Sequence, residues 1–508
     1  MNNGNICVSV CATTPGEMAS KIASAEEYAD IIELRLDCLS PELLRDLLTS
    51  LPDSRRRYLY TLRTKSQGGK REISESDRTE LANSLSAHAA EGYLVDTEFE
   101  PANSQTVDDD SRRVISWHEL AGNPGARTQG REMLRRFPNS TIKVAAAVDD
   151  ITDSLEVWKL LNDAKKSGAK VVPIAMGDAG KWTRILGLAH GAAMTFASLD
   201  DGVETAAGQI SARELTEVYR AKELSLETKV YGVIGSPLTN SKSVYIHNAA
   251  FAASGTDAVF IPLEVGDLAA FMERMVLEKT REVDLNFAGF AVTMPHKQAI
   301  IQYLDHIDSV AARVGAVNTV KIENGRLSGY NTDVDGFIVP LTEKLGSIMG
   351  MRAAVFGAGG AARACIYALL KEGCEVFIYS RDPDKAATVG KEFGIDSSPV
   401  SAFSSANSTM APARPFDILV NATPLGMKGP YENEPVLTAD AMAGARLVYD
   451  LVTSFGETPT IREARLAGVP WIAGAEMLIA QGARQFSIWT GTAAPIRVMR
   501  QALNSQLK

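Results

Sequence analysis

The chain has 508 residues, 45% hydrophobic and 22% charged, which excludes a disordered or fibrous protein and leaves room for two to four domains of roughly 100–200 residues. A net charge of −10 sets aside a nucleic-acid or anionic-membrane partner and leaves open local basic pockets for small anions. No apolar run reaches the ~18 residues that span a bilayer, the first residues carry no signal or transit pattern, and the five cysteines are scattered, so a reduced, cytoplasmic setting with no disulfide and no structural metal is expected.

From the start to about Arg220, eight β-rich runs alternate with amphipathic stretches. The runs are Ile6–Cys11, Ile31–Asp37, Tyr58–Arg63, Tyr93–Glu98, Arg113–His118, Thr141–Val148, Lys170–Met176 and Ala192–Ser198. Helical patterns such as Ser74–Ala90, Arg131–Phe137, Ser154–Lys166 and Lys181–Leu188 lie between them, and Pro101–Asp110 is a short polar link. An open doubly wound sheet shares this alternation, but eight nearly even repeats favour a closed (β/α)8 barrel.

Polar residues gather at the C-terminal ends of these runs, where barrel sites form. Alternation places Glu33, Arg35 and Asp37 on one face of the second run; Arg63 ends the third and His118 the fifth. Arg184 follows the seventh, and Thr205 and Gln209 follow the eighth. Lys143 stands alone among β-branched and Ala residues, so it either buries its amine or snorkels out. An amine desolvated near Arg cations has a lowered pKa and attacks ketones to form a Schiff base; the competing reading is a structural lysine. His118 could then move protons near neutral pH.

The strings Glu33-Leu-Arg-Leu-Asp37, Thr61-Leu-Arg-Thr-Lys-Ser-Gln-Gly-Gly69, Ser116-Trp-His-Glu119, Ile142-Lys-Val-Ala145 and Ala206-Ala-Gly-Gln-Ile210 resemble type I 3-dehydroquinate dehydratase over residues 1–225. The resemblance implies an imine between Lys143 and the substrate ketone, with His118 moving the proton and Glu33 paired to His118. It also implies that Arg35 and Arg63 hold hydroxyls and that Arg184 and Gln209 take the carboxylate, beside Thr205, where the family commonly has Ser.

After the polar stretch Lys222–Lys229, Val230–Ile234, Val259–Val265 and Gly289–Thr293 read as strands. Arg352–Phe356 then opens a strand–turn–helix–strand unit with a helix over Ala361–Lys371 and a strand over Glu375–Tyr379. Further strands are expected at Asp417–Asn421 and Leu447–Leu451, with Ser397–Pro415 a loop. Gly357-Ala358-Gly359-Gly360-Ala361 is a variant dinucleotide fingerprint, whose glycines let the backbone approach a pyrophosphate at a helix N-terminus. Ser380, Arg381 and Lys385 suit the 2′-phosphate of NADP(H), against the acidic Asp382; Asn421 and Thr423 could line the nicotinamide side. Ser241, Ser243, Thr293, Asn318 and Thr319 offer donors for a polyhydroxylated ligand, and Lys297 with Asp333 could form an acid–base pair beside a carbonyl.

Ser241-Lys-Ser243, Thr293-Met-Pro-His-Lys297, Gly315-Ala-Val-Asn-Thr319, Asn331-Thr-Asp333, Gly357–Ala362 and Met477-Leu-Ile-Ala-Gln481 resemble shikimate dehydrogenase across Lys229–Lys508. The resemblance implies a substrate lobe over 229–338, completed by about 475–508, and a Rossmann NADP-binding lobe over 339–474. It places Ser241, Ser243, Thr293, Asn318, Asp333 and Gln481 around shikimate, with Lys297 and Asp333 as the catalytic pair. The chain departs from that family at Asn240, Val244, Thr453 and Phe455, and Thr453 stands where a substrate-touching Tyr is usual. Together the resemblances imply a bifunctional enzyme of the shikimate pathway, toward aromatic amino acids. The alternatives are a dehydratase fused to a quinate dehydrogenase, and a ligand-sensing regulator built on inactive domains. The retained Lys143, His118, Lys297 and Asp333 speak against the regulator.

Overall fold

The computed structural model describes residues 2–50, 54–74, 76–78, 81, 93–99, 111–121, 125–200, 202, 204–238, 241–404, 415–453 and 456–506. Most of the Ser74–Ala90 stretch, the Pro101–Asp110 link, Asn240 and Phe455 lie outside these residues. The chain forms two compact units. The first takes residues up to 230 together with 237–239 and 257–287; the second takes 231–236, 240–256 and everything from 288 onward.

The first unit carries eight parallel strands: β1 (Asn5–Val10), β2 (Ile31–Arg35), β3 (Arg57–Thr61), β4 (Leu94–Glu98), β5 (Arg113–Glu119), β6 (Thr141–Ala147), β7 (Lys170–Met176) and β8 (Met194–Ser198). They run in the order β7-β6-β5-β4-β3-β2-β1-β8, and the Ala193 amide donates to the Val171 carbonyl where β8 meets β7. The result is the nearly closed barrel that the repeats predicted. The strands are buried nearly throughout, as expected for parallel strands packed on both faces.

Period-two alternation builds the interior in layers. Cys7, Ile31, Leu59, Leu94, Val114, Val172 and Phe196 belong to one apolar cluster. Two residues further along their strands, toward the C-terminal ends, come Ser9, Glu33, Thr61, Asp96 and Ser116, all buried. The registers Ser9↔Glu33 and Ser116↔Lys143 continue this polar layer from strand to strand. Residues 257–287 join the first unit through side chains: Thr228 Oγ1 donates to Asp257, the Gly266 and Asp267 amides donate to Asp150, and Lys159 pairs with Glu282.

In the second unit, β9 (Lys229–Gly235), β11 (Phe287–Val292), β13 (Thr319–Glu323), β14 (Arg326–Tyr330) and β12 (His306–Ile307) follow one another in one sheet; β10 (Ala258–Glu264) lies in the first unit. The hairpin β13–β14 adds to the strands expected from the sequence, and its turn carries a sequence signal. Asn324 and Gly325 have φ of 52° and 73°, the left-handed pair of a two-residue turn, and Asn-Gly is its strongest sequence mark.

A second sheet runs β17-β16-β15-β18-β19-β20, from β15 (Arg352–Phe356), β16 (Glu375–Ser380), β17 (Asp396–Pro399), β18 (Ile418–Asn421), β19 (Leu447–Asp450) and β20 (Trp471–Ala473). All its pairings are parallel, with helices at Gly360–Lys371, Pro383–Phe393 and Pro459–Leu466 between strands, as a Rossmann-like fold requires. The expected loop over Ser397–Pro415 is corrected at its start. Asp-Ser-Ser-Pro pairs as β17 beside β16, and Ser401–Ser404 makes one helical turn. Those residues have little β-propensity, so the edge of an existing sheet recruits them.

The expectation of no disulfide is also corrected: Cys11 and Cys38 are bonded, with Cα atoms 5.7 Å apart. Cys11 directly follows β1 and Cys38 sits in the turn after β2. The parallel register Val10↔Leu34 carries both cysteines to the same end of the barrel. Their separation of 27 residues gives no hint of this in the sequence. Cys7, Cys365 and Cys374 are free and buried.

Candidate functional sites

One cavity of ≈ 290 Å³ opens at the C-terminal ends of the barrel strands. Glu33, Arg35, Arg63, His118, Lys143, Arg184, Thr205 and Gln209, all expected from the sequence, line it. Lys143 lies beneath the opening, its Nζ 3.7 Å from the centroid of the Phe196 ring and 4.0 Å from Glu33 Oε1. Burial is the main force lowering its pKa; Arg63 adds to it, and Glu33 opposes it. The amine is therefore easier to deprotonate than a solvated lysine, as a ketone-attacking nucleophile needs.

Glu33 accepts hydrogen bonds from Ser9 Oγ at 2.5 Å and Thr61 Oγ1 at 3.0 Å. Burial alone would raise its pKa, but Lys143, Arg35 and the Ser9 hydroxyl outweigh that and hold the carboxylate below its usual range. The expected pairing of Glu33 with His118 is thus corrected. Glu33 is committed to its strand neighbours and Lys143, and His118 meets Gln67. The His118 amide donates to Gln67 Oε1 at 3.1 Å, and the ring Nδ1 lies 3.3 Å from the same oxygen. Desolvation, followed by the charges of Arg63, Lys143, Arg35 and Arg184, pushes His118 well below the ordinary histidine value.

The three arginines differ in their partners. Arg35 makes a two-bond fork with Asp37, at 2.9 and 2.8 Å. Arg63 is clamped by Asp96 at 2.9 Å and Glu98 at 3.2 Å, and donates to Ser116. Arg184 is 2% exposed and reaches only carbonyls, those of Phe196 and Ala207, with its Nε lacking a hydrogen-bond partner. Among the described residues no carboxylate pairs with it, and burial lowers its pKa to about 10. Nearby, Gln209 Oε1 accepts from the Thr205 amide and hydroxyl, which folds this loop over the cavity and leaves the amide NH2 of Gln209 outside those bonds.

In the second unit Lys297 Nζ meets Asp333 Oδ2 at 2.5 Å. Asn318 Nδ2 donates to Asp333 Oδ1 at 2.8 Å and to Thr332, and Gln481 Oε1 lies 3.5 Å from it. Gln481 comes from the helix Gly474–Thr490; a Cβ on Gly336 would sit 2.6 Å from that of Gln481, so the glycine permits the approach of the two helices. The backbone brings the remaining expected loops toward this cluster. Thr293 donates to the Ile234 carbonyl at the end of β9, Ser236 donates to Met294, and Val292 donates to Asn318. Ser243 opens the helix Ser243–Ser254 just beyond. No side-chain bond ties Ser241, Ser243 or Thr293 to Lys297 among the described residues.

The fingerprint turn lies beside this pair. Gly357 has φ of 116°, and a Cβ there would meet the Ala422 carbonyl at 2.7 Å, so only glycine fits. A Cβ on Gly359 would meet nothing within 4 Å, leaving open space before the helix Gly360–Lys371. A Cβ on Gly360 would come within 3.1 Å of the Lys297 side chain, so this turn and the lysine are neighbours. Asp382 caps the helix Pro383–Phe393 through the Lys385 amide and pairs with the Lys385 amine at 3.3 Å. Arg381 stacks over Tyr431, 5.1 Å from the ring centroid. Asn421 points into the fold: its NH2 donates to Asp450 and Leu425, and its oxygen accepts from Thr423.

Comparison with known proteins covers both units. Residues 6–225 match the type I 3-dehydroquinase family, 233–320 the shikimate dehydrogenase substrate-binding domain, and 474–503 the shikimate 5′-dehydrogenase C-terminal domain. The chain is 30% identical, over 99% of its own length and 85% of the relative's, to a chloroplastic bifunctional 3-dehydroquinate dehydratase/shikimate dehydrogenase of Arabidopsis thaliana. It is 38% identical over 56% of its length to the shikimate dehydrogenase (NADP(+)) of Moorella thermoacetica, covering 96% of that protein. A crystal structure of shikimate dehydrogenase in complex with NADP+ matches 56% of the chain and 98% of its own, at 35% identity and a TM-score of 0.50.

Proposed function

The chain belongs to the bifunctional 3-dehydroquinate dehydratase/shikimate dehydrogenase family, and from that premise we propose a Lys143 Schiff-base mechanism for its first unit and NADPH-dependent reduction in its second. The observation that carries the first reading is a desolvated amine sharing one cavity with a buried arginine that has no carboxylate partner among the described residues. The unprotonated Lys143 attacks the C3 ketone of 3-dehydroquinate, and the ketone oxygen leaves as water with one proton from the attacking nitrogen and one from solvent, leaving an iminium. The iminium withdraws electrons and acidifies the C2 hydrogen, which His118 removes at the ring nitrogen not bonded to Gln67. The electron pair forms the C1–C2 double bond as the C1 hydroxyl departs, taking that proton from His118 as water. Hydrolysis of the imine frees 3-dehydroshikimate and restores Lys143. Arg184, with its charge unanswered, holds the substrate carboxylate beside Gln209 and Thr205.

The second unit fits NADP(H) through its own residues. The bare Gly357–Gly359 backbone would hold the pyrophosphate at the N-terminus of the helix Gly360–Lys371, and Ser380, Arg381 and Lys385 would hold the 2′-phosphate. When bound, the cofactor supplies a hydride to the substrate ketone. Lys297 delivers a proton to the oxygen that becomes a hydroxyl, and Asp333, oriented by Asn318, holds the lysine in place. Ser241, Ser243, Thr293, Asn318 and Gln481 supply donors and acceptors for the substrate's hydroxyl and carboxylate groups.

A single cuvette with enzyme, 3-dehydroquinate and NADPH tests both halves. The reduced-nicotinamide absorbance should fall. Lys143→Ala should stop it, and added 3-dehydroshikimate should restore it. Failure of that rescue would refute the two-step scheme.

A further inference from the structure

We propose that Arg363 is a positioning residue that couples cofactor to substrate in the second unit: it fastens the helix behind the fingerprint turn to the segment carrying Asn318, so that each ligand tightens the other. This rests on the placement of NADP(H) at the Gly357–Gly359 turn. Arg363 stands in the first turn of the helix Gly360–Lys371, where its main-chain amide donates to the Gly359 carbonyl at 3.0 Å. Its side chain is buried and reaches two other helices. Nε donates at 2.8 Å to the carbonyl of Val314, the last residue of the helix Ser309–Val314, and Nη2 pairs with Glu392 near the end of the helix Pro383–Phe393. The end of a helix leaves carbonyls without intrahelical donors and favours a cation, so the guanidinium matches Val314. Gly315 has φ of 67°, and a Cβ there would stand 2.8 Å from Nη2, so glycine makes room for the contact.

Val314 leads directly into the segment behind the acid–base pair. The Ala316 carbonyl accepts from Asn331 Nδ2, and Asn331 Oδ1 accepts from the Asp333 amide. The Val317 amide donates to the Lys297 carbonyl at 2.7 Å, and Asn318 then reaches Asp333. On the other side, the helix Pro383–Phe393 begins at its Asp382 cap and Lys385, beside the group assigned to the 2′-phosphate. One buried cation thus bridges both nucleotide helices and the segment that holds Lys297 and Asp333. A ligand that fixes one end of this bridge leaves less freedom to lose at the other, and that difference is a coupling free energy.

Titration of NADPH fluorescence with and without saturating shikimate reads the coupling, since two reduced ligands do not react with each other. In the wild type shikimate should tighten NADPH roughly 5–150-fold, the usual range for two coupled sites. Arg363→Met should bring that factor to within about twofold of one, while the affinity for NADPH alone changes less than about threefold. Arg363→Lys keeps the charge and should recover part of the factor. Glu392 lies at the surface, so Glu392→Gln cuts one arm of the bridge without opening the core and should also lower the factor. A wild-type factor of one, or a factor unchanged in both Arg363→Met and Glu392→Gln, would overturn the proposal while leaving the cofactor placement intact. If Arg363→Met does not fold, an unchanged factor in Glu392→Gln overturns it alone. A wild type that binds no NADPH would overturn the cofactor placement and this proposal with it.

Discussion

Replacing Arg184 by methionine should make the first unit more stable and nearly inactive. The cation is buried, and burial lowers its pKa from 12.5 to about 10, a cost of roughly 3 kcal/mol for keeping the charge there. Methionine removes that cost and fills similar space. The Ala207 carbonyl keeps the Gly177 amide as donor, whereas the Phe196 carbonyl loses the guanidinium, at about 1 kcal/mol. The net gain is about 2 kcal/mol, or about 4–8 °C in the melting transition of a unit this size. The substrate carboxylate loses its charged partner, which costs roughly 3 kcal/mol or more and lowers kcat/KM about 100-fold or more. Differential scanning calorimetry and dehydratase progress curves on the same preparations check both numbers. A melting point several degrees lower, with kcat/KM within about threefold of wild type, would show that Arg184 serves the fold and not the substrate.

Borohydride added with 3-dehydroquinate should fix a covalent adduct on Lys143, seen by mass spectrometry and absent in Lys143→Met. Lys297→Met should lower the reductase rate by about 100-fold or more, as loss of a positioned acid does, while the dehydratase rate stays at the wild-type value. Cys38→Ser opens a loop spanning 27 residues and should cost the first unit roughly 3–4 kcal/mol, read as a lower denaturant midpoint that matches wild type under reducing conditions. Asp450, fully buried and pushed up from 3.8 to about 6, binds its proton more tightly folded than unfolded. Its contribution is therefore present below pH 4 and lost as pH rises through 6, in total roughly 3 kcal/mol, and Asp450→Asn should flatten that part of the second unit's stability profile.

Much of the first site was legible because a barrel converts position along the chain into position in space. A residue at the C-terminal end of any strand faces the same opening, so Glu33, His118 and Lys143 could be grouped before their distances were known. The same holds for Gly357, where a strand, a turn and a helix in immediate succession leave one conformation. Gln67 carries little local signal because it lies in a loop, with only its place four residues past Arg63 and before two glycines to mark it. Asn421 was expected beside the nicotinamide, but Asp450 from the neighbouring strand claims its amide.

Local sequence therefore determined the element types, the eight-fold alternation, the strand-end residues and the glycine turn, since each depends on periodicity or on conformations within a few residues. Tertiary structure alone decided which partner each polar side chain takes. Gln67 meets His118, Cys11 meets Cys38, Arg63 is clamped while Arg184 has no carboxylate among the described residues, and Asp-Ser-Ser-Pro becomes a strand. These outcomes depend on strand register and loop closure between residues far apart in sequence. A one-residue change of register would redirect every side chain involved without altering any local pattern.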